Sequence, residues 1–435
     1  MANFIVRRLL TMLLTMFIVS IFIFALAEIA PGNVARNILG AFATPEQEAS
    51  FREQLGLNQP LHIRYINWLV GSDWRASRLI GMPLTRIKKP GTDFYQWWAV
   101  DEDGTLVRWK LEEEDLIALR RQTDGTVEES LDNDRWQTDE EGVSRAWGVD
   151  THNHAVMWEK GSGETYWMRA KAAGWWVEKS GGPRTYIPLQ KGMLRGDPGQ
   201  SVQTGRPVAD TLARRIQNSA ILAGIAFAIV MPLALVLGLI AGLNEGKPTD
   251  RILSVAGLIT TSTPEFATGI FLILILASWL KLVPGATVFG SERAIFENPK
   301  MLILPVLTLT LIELGYVLRI TRASMVEVMR EPYIRTAFIK GLPYSRIVFK
   351  HAIRNALMAP ITVIMLHVNW LIGGIVVVEA IFGFPGLGKY LYESALYKDI
   401  FAIEAGAMVM VFFAVGTQLV ADIVYTFLNP RIRYA

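Results

Sequence analysis

The sequence predicts an all-α membrane bundle of six transmembrane helices with a β-rich domain inserted after the first. Three observations predict it. Of 435 residues, 51% are hydrophobic, and they gather in long runs. Charged residues nearly vanish inside those runs. Behind the first run lies a stretch rich in tryptophan and acidic residues, patterned like strands.

A run of about 20 apolar residues crosses a bilayer as a helix, which satisfies its own backbone groups in lipid. Six such runs stand at about 9–29, 217–242, 254–280, 301–318, 356–381 and 401–428. Lysine and arginine beside spans mark the cytoplasmic side. Arg7 and Arg8, then Lys247 and Arg251, then Arg319, Arg322, Arg330, Arg335, Lys340, Arg346, Lys350 and Arg354, then Arg431 and Arg433 all fall on one side if six spans alternate. Both termini and the 319–355 loop are therefore expected in the cytoplasm. The first run has a signal-peptide look, with Ala25-Leu-Ala27 as a cleavage site, but it is longer than a usual signal core and is read as a retained span.

The chain has no cysteine, which excludes disulfides, thiolate metal sites and a cysteine nucleophile. The net charge of +3 conceals a mildly acidic 72–192 and a basic remainder. Topology accounts for the basic part, so nucleic acid is not implied.

Three regions follow: 1–71 (first span and start of the external loop), 72–192 (inserted, extracytoplasmic) and 193–435 (five spans with the cytoplasmic loop 319–355). In the insertion, Tyr95 to Trp109 reads as a β-hairpin about an Asp103-Gly104 turn. Asp124-Gly125 marks a second turn, and Glu112 to Arg121 is expected as one short helix. Trp136, Trp147, Trp158, Trp167 and Trp175 recur at the spacing of a strand meander, and such rings usually build a core. A ligand-stacking surface is the sharper alternative. His152-Asn-His154 lacks a third metal ligand and reads as surface.

Between the fourth and fifth runs, residues 333–340 can form a short helix. Gly341 suits the left-handed position that ends it, and Pro343 opens the next. Ile334, Ala337 and Phe338 make an apolar stripe that is expected to dock into another protein. Polar residues inside spans face the bundle interior, either as pathway groups or as helix–helix pairs. Glu313, His367, Asn369 and Glu379 are the pathway candidates, with Glu265, Gln418 and Asp422 beside them. Gly238-Leu-Ile-Ala-Gly242 is a close-packing motif. Gly383-Phe-Pro-Gly-Leu-Gly-Lys389-Tyr390 nearly fits a phosphate-binding loop, but Tyr390 stands where Ser or Thr is required and the context is a membrane span. It reads instead as a re-entrant or gating loop, with Phe384, Pro385 and Gly386 at its centre. No catalytic triad, carboxylate pair or metal cluster stands out, so the chain is not read as an enzyme.

Four stretches together resemble the dipeptide/oligopeptide/nickel permease family of binding-protein-dependent transporters. They are Arg7-Arg8-Leu-Leu leading to Ala30-Pro-Gly32; Tyr333-Ile-Arg-Thr-Ala-Phe-Ile-Lys-Gly-Leu-Pro343 with His351-Ala-Ile-Arg-Asn-Ala-Leu357 and Pro360; Glu379-Ala-Ile-Phe-Gly-Phe-Pro-Gly-Leu-Gly388; and Asp422 with Asn429-Pro-Arg431. The match covers about 1–71 and 193–435. The Trp-rich insertion departs from it, as does Arg335-Thr336-Ala337 where the family signature leads with Glu.

The resemblance implies an ATP-binding-cassette importer permease for di- or oligopeptides in a bacterial inner membrane. It implies a second homologous permease subunit, two cytoplasmic ATPase subunits and an extracytoplasmic substrate-binding protein. ATP and Mg would bind the ATPases, with no cofactor on this chain. Tyr333, Arg335, Thr336, Ala337, Phe338, Lys340 and Gly341 would then couple to the ATPases. Alternatives are a membrane-anchored sensor with an external ligand domain, or an importer of nickel chelates, glutathione or oligosaccharides.

Overall fold

The computed structural model describes residues 2–29, 40, 43–160, 166–168, 177–179, 183–287 and 298–428, with only the backbone for a few of these, 368–373 among them. The chain forms two compact units. One comprises 1–23, 212–393 and 406–435; the other comprises 24–211 and 394–405.

Three short helices enter the second unit after α1 (Ala2–Ile29): α2 (Pro45–Gln54), α3 (Leu61–Leu69) and α4 (Asp73–Ile80). Eleven described strands follow. β1 (Leu84–Lys88), β2 (Tyr95–Val100), β3 (Leu106–Glu112), β4 (Asp115–Arg121) and β5 (Val127–Leu131) form an antiparallel meander in chain order. β6 (Gln137–Thr138), β7 (Ser144–Val149), β8 (His154–Lys160) and β11 (Pro183–Pro188) form a second sheet ordered β11-β8-β7-β6. β9 (Tyr166–Met168) and β10 (Val177–Lys179) pair separately.

The predicted hairpin is present: Ala99 pairs with Val107, and Gly104 turns at φ +79°. The predicted helix over Glu112 to Arg121 is not. Glu113 takes φ +55°, the chain reverses there, and β3 pairs with β4. Leu116 and Ala118 are buried at alternating positions, a period of two that overrides local helical preference. One apolar core holds the two larger sheets together, with Trp97, Trp109 and Leu116 from the first and Val149, Val156 and Trp158 from the second. Trp97, Trp109 and Trp158 are therefore core side chains, and Trp136 and Trp147 pack partly buried against them. The side chains of Trp167 and Trp175 lie outside those described. A Cβ at position 148 would come within 2.7 Å of the Trp109 ring and 2.8 Å of the Trp158 ring, so glycine lets both rings lie on the strand.

The opposite face of β2 and β3 is held by a cation. The buried Arg108 guanidinium stacks 4.7 Å from the Trp98 ring, donates to the Trp97 carbonyl at 2.5 Å and also bonds to Asn153 Oδ1. Burial pushes Arg108 down to about 10. Asn153 sits at φ +68° between His152 and His154, whose backbone N–H groups both donate to Asp150. This segment is a tight turn. Asp399 fastens 394–405 to the same unit by accepting from the Ser201 hydroxyl and the Val202 N–H.

The helical unit contains α5 (Val208–Leu243) beyond its first turn, α6 (Pro248–Ser262), α7 (Glu265–Leu272, continued as π-helix over Ile273–Trp279) and α8 (Ile303–Met329). Next come α9 (Pro332–Ile339) and α10 (Tyr344–Arg346, prolonged through π-helical Ile347–Ala352 into Ile353–Ala356). α11 (Met358–Phe382), α12 (Leu387–Tyr397) and α13 (Ile400–Leu428) close the chain. Among the described residues five helices are long and apolar enough to cross a membrane, or up to seven if each of two bent pairs is one span. The first bent pair, α6 with α7, turns 107° at Thr263-Pro264. Proline lacks the donor that would continue α6 and drives Thr263 into extended backbone at ψ 127°.

α8 is the hub. The predicted close-packing motif on α5 lies against it: a Cβ at Gly238 would meet Thr321 Cβ at 2.5 Å, and one at Gly242 would meet Met325 Cβ at 2.7 Å. On its other side Gly315 packs against the Gly257 backbone and the Thr260 and Thr261 side chains of α6, which leave no room for a Cβ. Asp250, 3% exposed, accepts from Nε and Nη2 of Arg322 and from the Gly246 N–H, which pins the α5–α6 turn to α8. Arg8 meets Asp422 at 2.9 Å, joining the start of α1 to the end of α13.

Replacing Gly148 with valine is expected to cost about 1–3 kcal/mol by forcing the two indoles off the strand. Tryptophan-monitored unfolding of the purified chain checks this, and an unchanged midpoint would show that the rings do not press on the β7 backbone.

Candidate functional site

The break between α6 and α7 opens a cavity of about 690 Å3 in the helical unit. Broken, proline-interrupted spans are where transport proteins expose backbone and side-chain groups at membrane depth. Thr261, Ser262, Thr263 and Glu265 line it from the break, Glu313 and Tyr316 from α8, and His367 from α11. Phe266, Ile312 and Val377 supply apolar wall.

Glu313 is 1% exposed, and its Oε2 lies 2.8 Å from His367 Nδ1. The Tyr316 and His367 rings stack at 4.2 Å. Glu313 Oε1 has no hydrogen-bond partner among the described residues. Glu265, half-buried, projects toward α11, where a Cβ at Gly374 would come within 3.3 Å of its Oε1. The structure thus brings two predicted residues, Glu313 and His367, into one site. Reading from sequence missed Tyr316, although its place three residues after Glu313 puts it on the same helix face. The Asn369 side chain lies outside those described.

Glu379 is elsewhere. It is fully buried near the end of α11 and builds the loop that follows. Its carboxylate accepts from Ser219 Oγ of α5, from Gly388 N–H at 2.7 Å and from Lys389 N–H at 3.2 Å. It therefore caps the N-terminus of α12, where N–H groups have no helical partner. A Cβ at Gly386 would overlap this carboxylate. Asn218 donates to the Pro385 carbonyl at 2.8 Å, Lys389 Nζ donates to the Gly383 carbonyl at 3.0 Å, and Phe384 is fully buried. Phe384, Pro385 and Gly386 thus form a locked bend of 74° between α11 and α12.

α9 stands where the sequence places it, with Gly341 at φ +73° ending it and Pro343 preceding the first helical residue of α10. The expected docking stripe divides. Ile334 and Ala337 are buried within this chain, against Met325, Ile347, Val348, Ala352 and Ala356. Helical spacing detects a buried face without saying whose surface buries it. The outward face carries Tyr333, Phe338, Ile339 and Tyr344, between 41% and 78% exposed, with exposed Arg335, Thr336 and Lys340 around them. Asn355 donates to the Tyr333 hydroxyl at 2.8 Å and ties α9 to α10.

The family described as binding-protein-dependent transport system inner membrane component matches residues 234–434. The family described as the N-terminal part of the membrane component of such systems matches residues 1–78. The oligopeptide transport system permease protein AppB of Bacillus subtilis is 34% identical over 252 residues, 57% of this chain and 80% of that protein. The dipeptide transport system permease protein DppB of Haemophilus influenzae is 33% identical over 261 residues, 56% of this chain and 78% of the relative. A probable peptide ABC transporter permease protein of Sinorhizobium fredii, y4tP, is 25% identical over 434 residues, the whole of both chains.

Glu379→Leu removes the acceptor of three donors and is expected to destabilise the helical unit by on the order of 3 kcal/mol, while Glu379→Gln, which keeps an acceptor oxygen, costs less. Thermal unfolding in detergent ranks the two, and equal losses would contradict the capping role.

Proposed function

Since the chain belongs to the family of inner membrane components of binding-protein-dependent transport systems, we propose that it forms half of the translocation pathway of an ATP-driven importer of di- or oligopeptides. The names of its relatives supply the peptide class. The observation that carries the coupling mechanism is α9: its inner face is anchored on α8 and α10, while Phe338 and Ile339 stay 46% and 78% exposed. A helix fixed on one side and apolar on the other transmits a push from a partner into the bundle.

In this reading six passes are α1, α5, the α6–α7 pair, α8, α11 and α13. Both termini and α9–α10 face the cytoplasm, and 72–192 lies outside. The Arg8–Asp422 pair supports a common side for the two ends. A second, homologous permease completes the pathway. Two ATPase subunits bind ATP and Mg and receive Tyr333, Arg335, Thr336, Phe338, Lys340 and the Gly341 turn, and an external binding protein delivers the peptide. The cavity at Glu313 and His367 lies on the route, and closure of the ATPases tilts α8 through α9.

Ile339 lends itself to the test because its substitution disturbs no buried contact. Purification of the wild type is expected to bring down a second permease and ATPases. Ile339→Glu and Gly341→Asp are expected to keep the second permease, lose the ATPases and lower peptide uptake by about tenfold or more, as removal of a central apolar anchor does. A wild type that purifies alone, or variants that retain ATPases and uptake, would overturn the proposal.

A further inference from the structure

The cavity at the α6–α7 break gathers acidic side chains. Among the described residues its lining contains two carboxylates, Glu265 and Glu313, and neither lysine nor arginine. His367 serves Oε2 of Glu313 at 2.8 Å. Oε1 is left without a hydrogen bond among the described residues, on a side chain 1% exposed. A buried carboxylate oxygen lacking a donor carries a large desolvation cost. A donor arriving with a passing solute relieves it, and a charged donor relieves it most.

An ammonium group brings three N–H donors and a full positive charge in a compact head. It suits this geometry better than a guanidinium, whose planar fork matches both oxygens of one carboxylate, and here one oxygen is already taken. Phe266, Ile312 and Val377 offer apolar surface to the carbons beside such a head.

Resting on the peptide-permease reading, we propose that this cavity selects the ammonium end of the transported solute, with the half-buried Glu265 as the carboxylate it meets first and the buried Glu313, whose Oε1 has no bond partner among the described residues, as its acceptor once that side chain turns into the cavity. The ammonium can be a peptide N-terminus or a lysine side chain, and the two are separable by experiment. Glu313 and Glu265 are then specificity residues of the pathway, acting independently of what the external binding protein prefers.

Thermal unfolding of the purified transporter, with its co-purifying subunits and without binding protein, tests this. The probes are n-butylammonium chloride against n-butanol and sodium chloride, then trialanine against N-acetyl-trialanine and Nα-acetyl-lysine amide. Butylammonium is expected to raise the melting temperature of the wild type where butanol and sodium chloride do not. Glu313→Gln is expected to weaken that response about tenfold, and Glu265→Gln several-fold. If Glu313→Gln does not assemble, Glu265→Gln decides, because its half-buried side chain tolerates an isosteric amide. Stabilisation by trialanine but not its acetylated form assigns the N-terminus; stabilisation by the lysine amide assigns the side chain. Equal responses to butylammonium and the controls, no response to any probe, or a preference retained in the variants would overturn the proposal. Trialanine uptake by wild-type cells is measured alongside. Uptake without ammonium preference sinks this inference alone, whereas absent uptake sinks the reading beneath it.

Discussion

The helical unit depends on backbone contact at α8. Gly238 and Gly242 of α5 let that helix approach Thr321 and Met325, and Gly315 meets Gly257 of α6 on the other flank. In lipid no hydrophobic effect drives helices together, so close van der Waals packing at small residues must do it. The Asp250–Arg322 pair adds a directional bond at the end of the same interface. With α5 and α6 held at these contacts, the broken span can turn away at Pro264 and leave Glu313 lining a cavity instead of a lipid-facing groove.

The β-rich unit solves a different problem with different means. Its strands carry large aromatics, and two sheets close over Trp97, Trp109 and Trp158. Water supplies the driving force there. Glycine appears for the same geometric reason as in the bundle: position 148 has no room for a side chain beneath two indoles. Arg108 shows how polar the other face can be, since a stacked and hydrogen-bonded guanidinium takes a place that an apolar residue would otherwise fill.

Much of this was legible in the sequence because it follows from local rules. Gly341 announces a left-handed turn, Asp103-Gly104 a hairpin, and Gly238 with Gly242 a packing face. What stayed hidden depends on partners distant in the chain. Glu112 to Arg121 has helical composition, and only pairing with β3 and β5 shows it to be strand. Ile334 and Ala337 show the period of a buried face, but their partners are 347–356 of the same chain. Glu379 is conspicuous as an acid within a span. Its role as a cap requires knowing that Ser219, Gly388 and Lys389 converge on it. Arg322 reads as one of many topological charges until Asp250 is seen beside it.

The same Glu379 gives the bend after α11 its mechanical character. One carboxylate belonging to α11 holds donors of α12 and of α5, so the 74° corner is braced from two sides. Glu379 and His367 stand twelve residues apart on one helix, about 18 Å along its axis. The acid that braces the corner and the imidazole that lines the cavity thus belong to one helix.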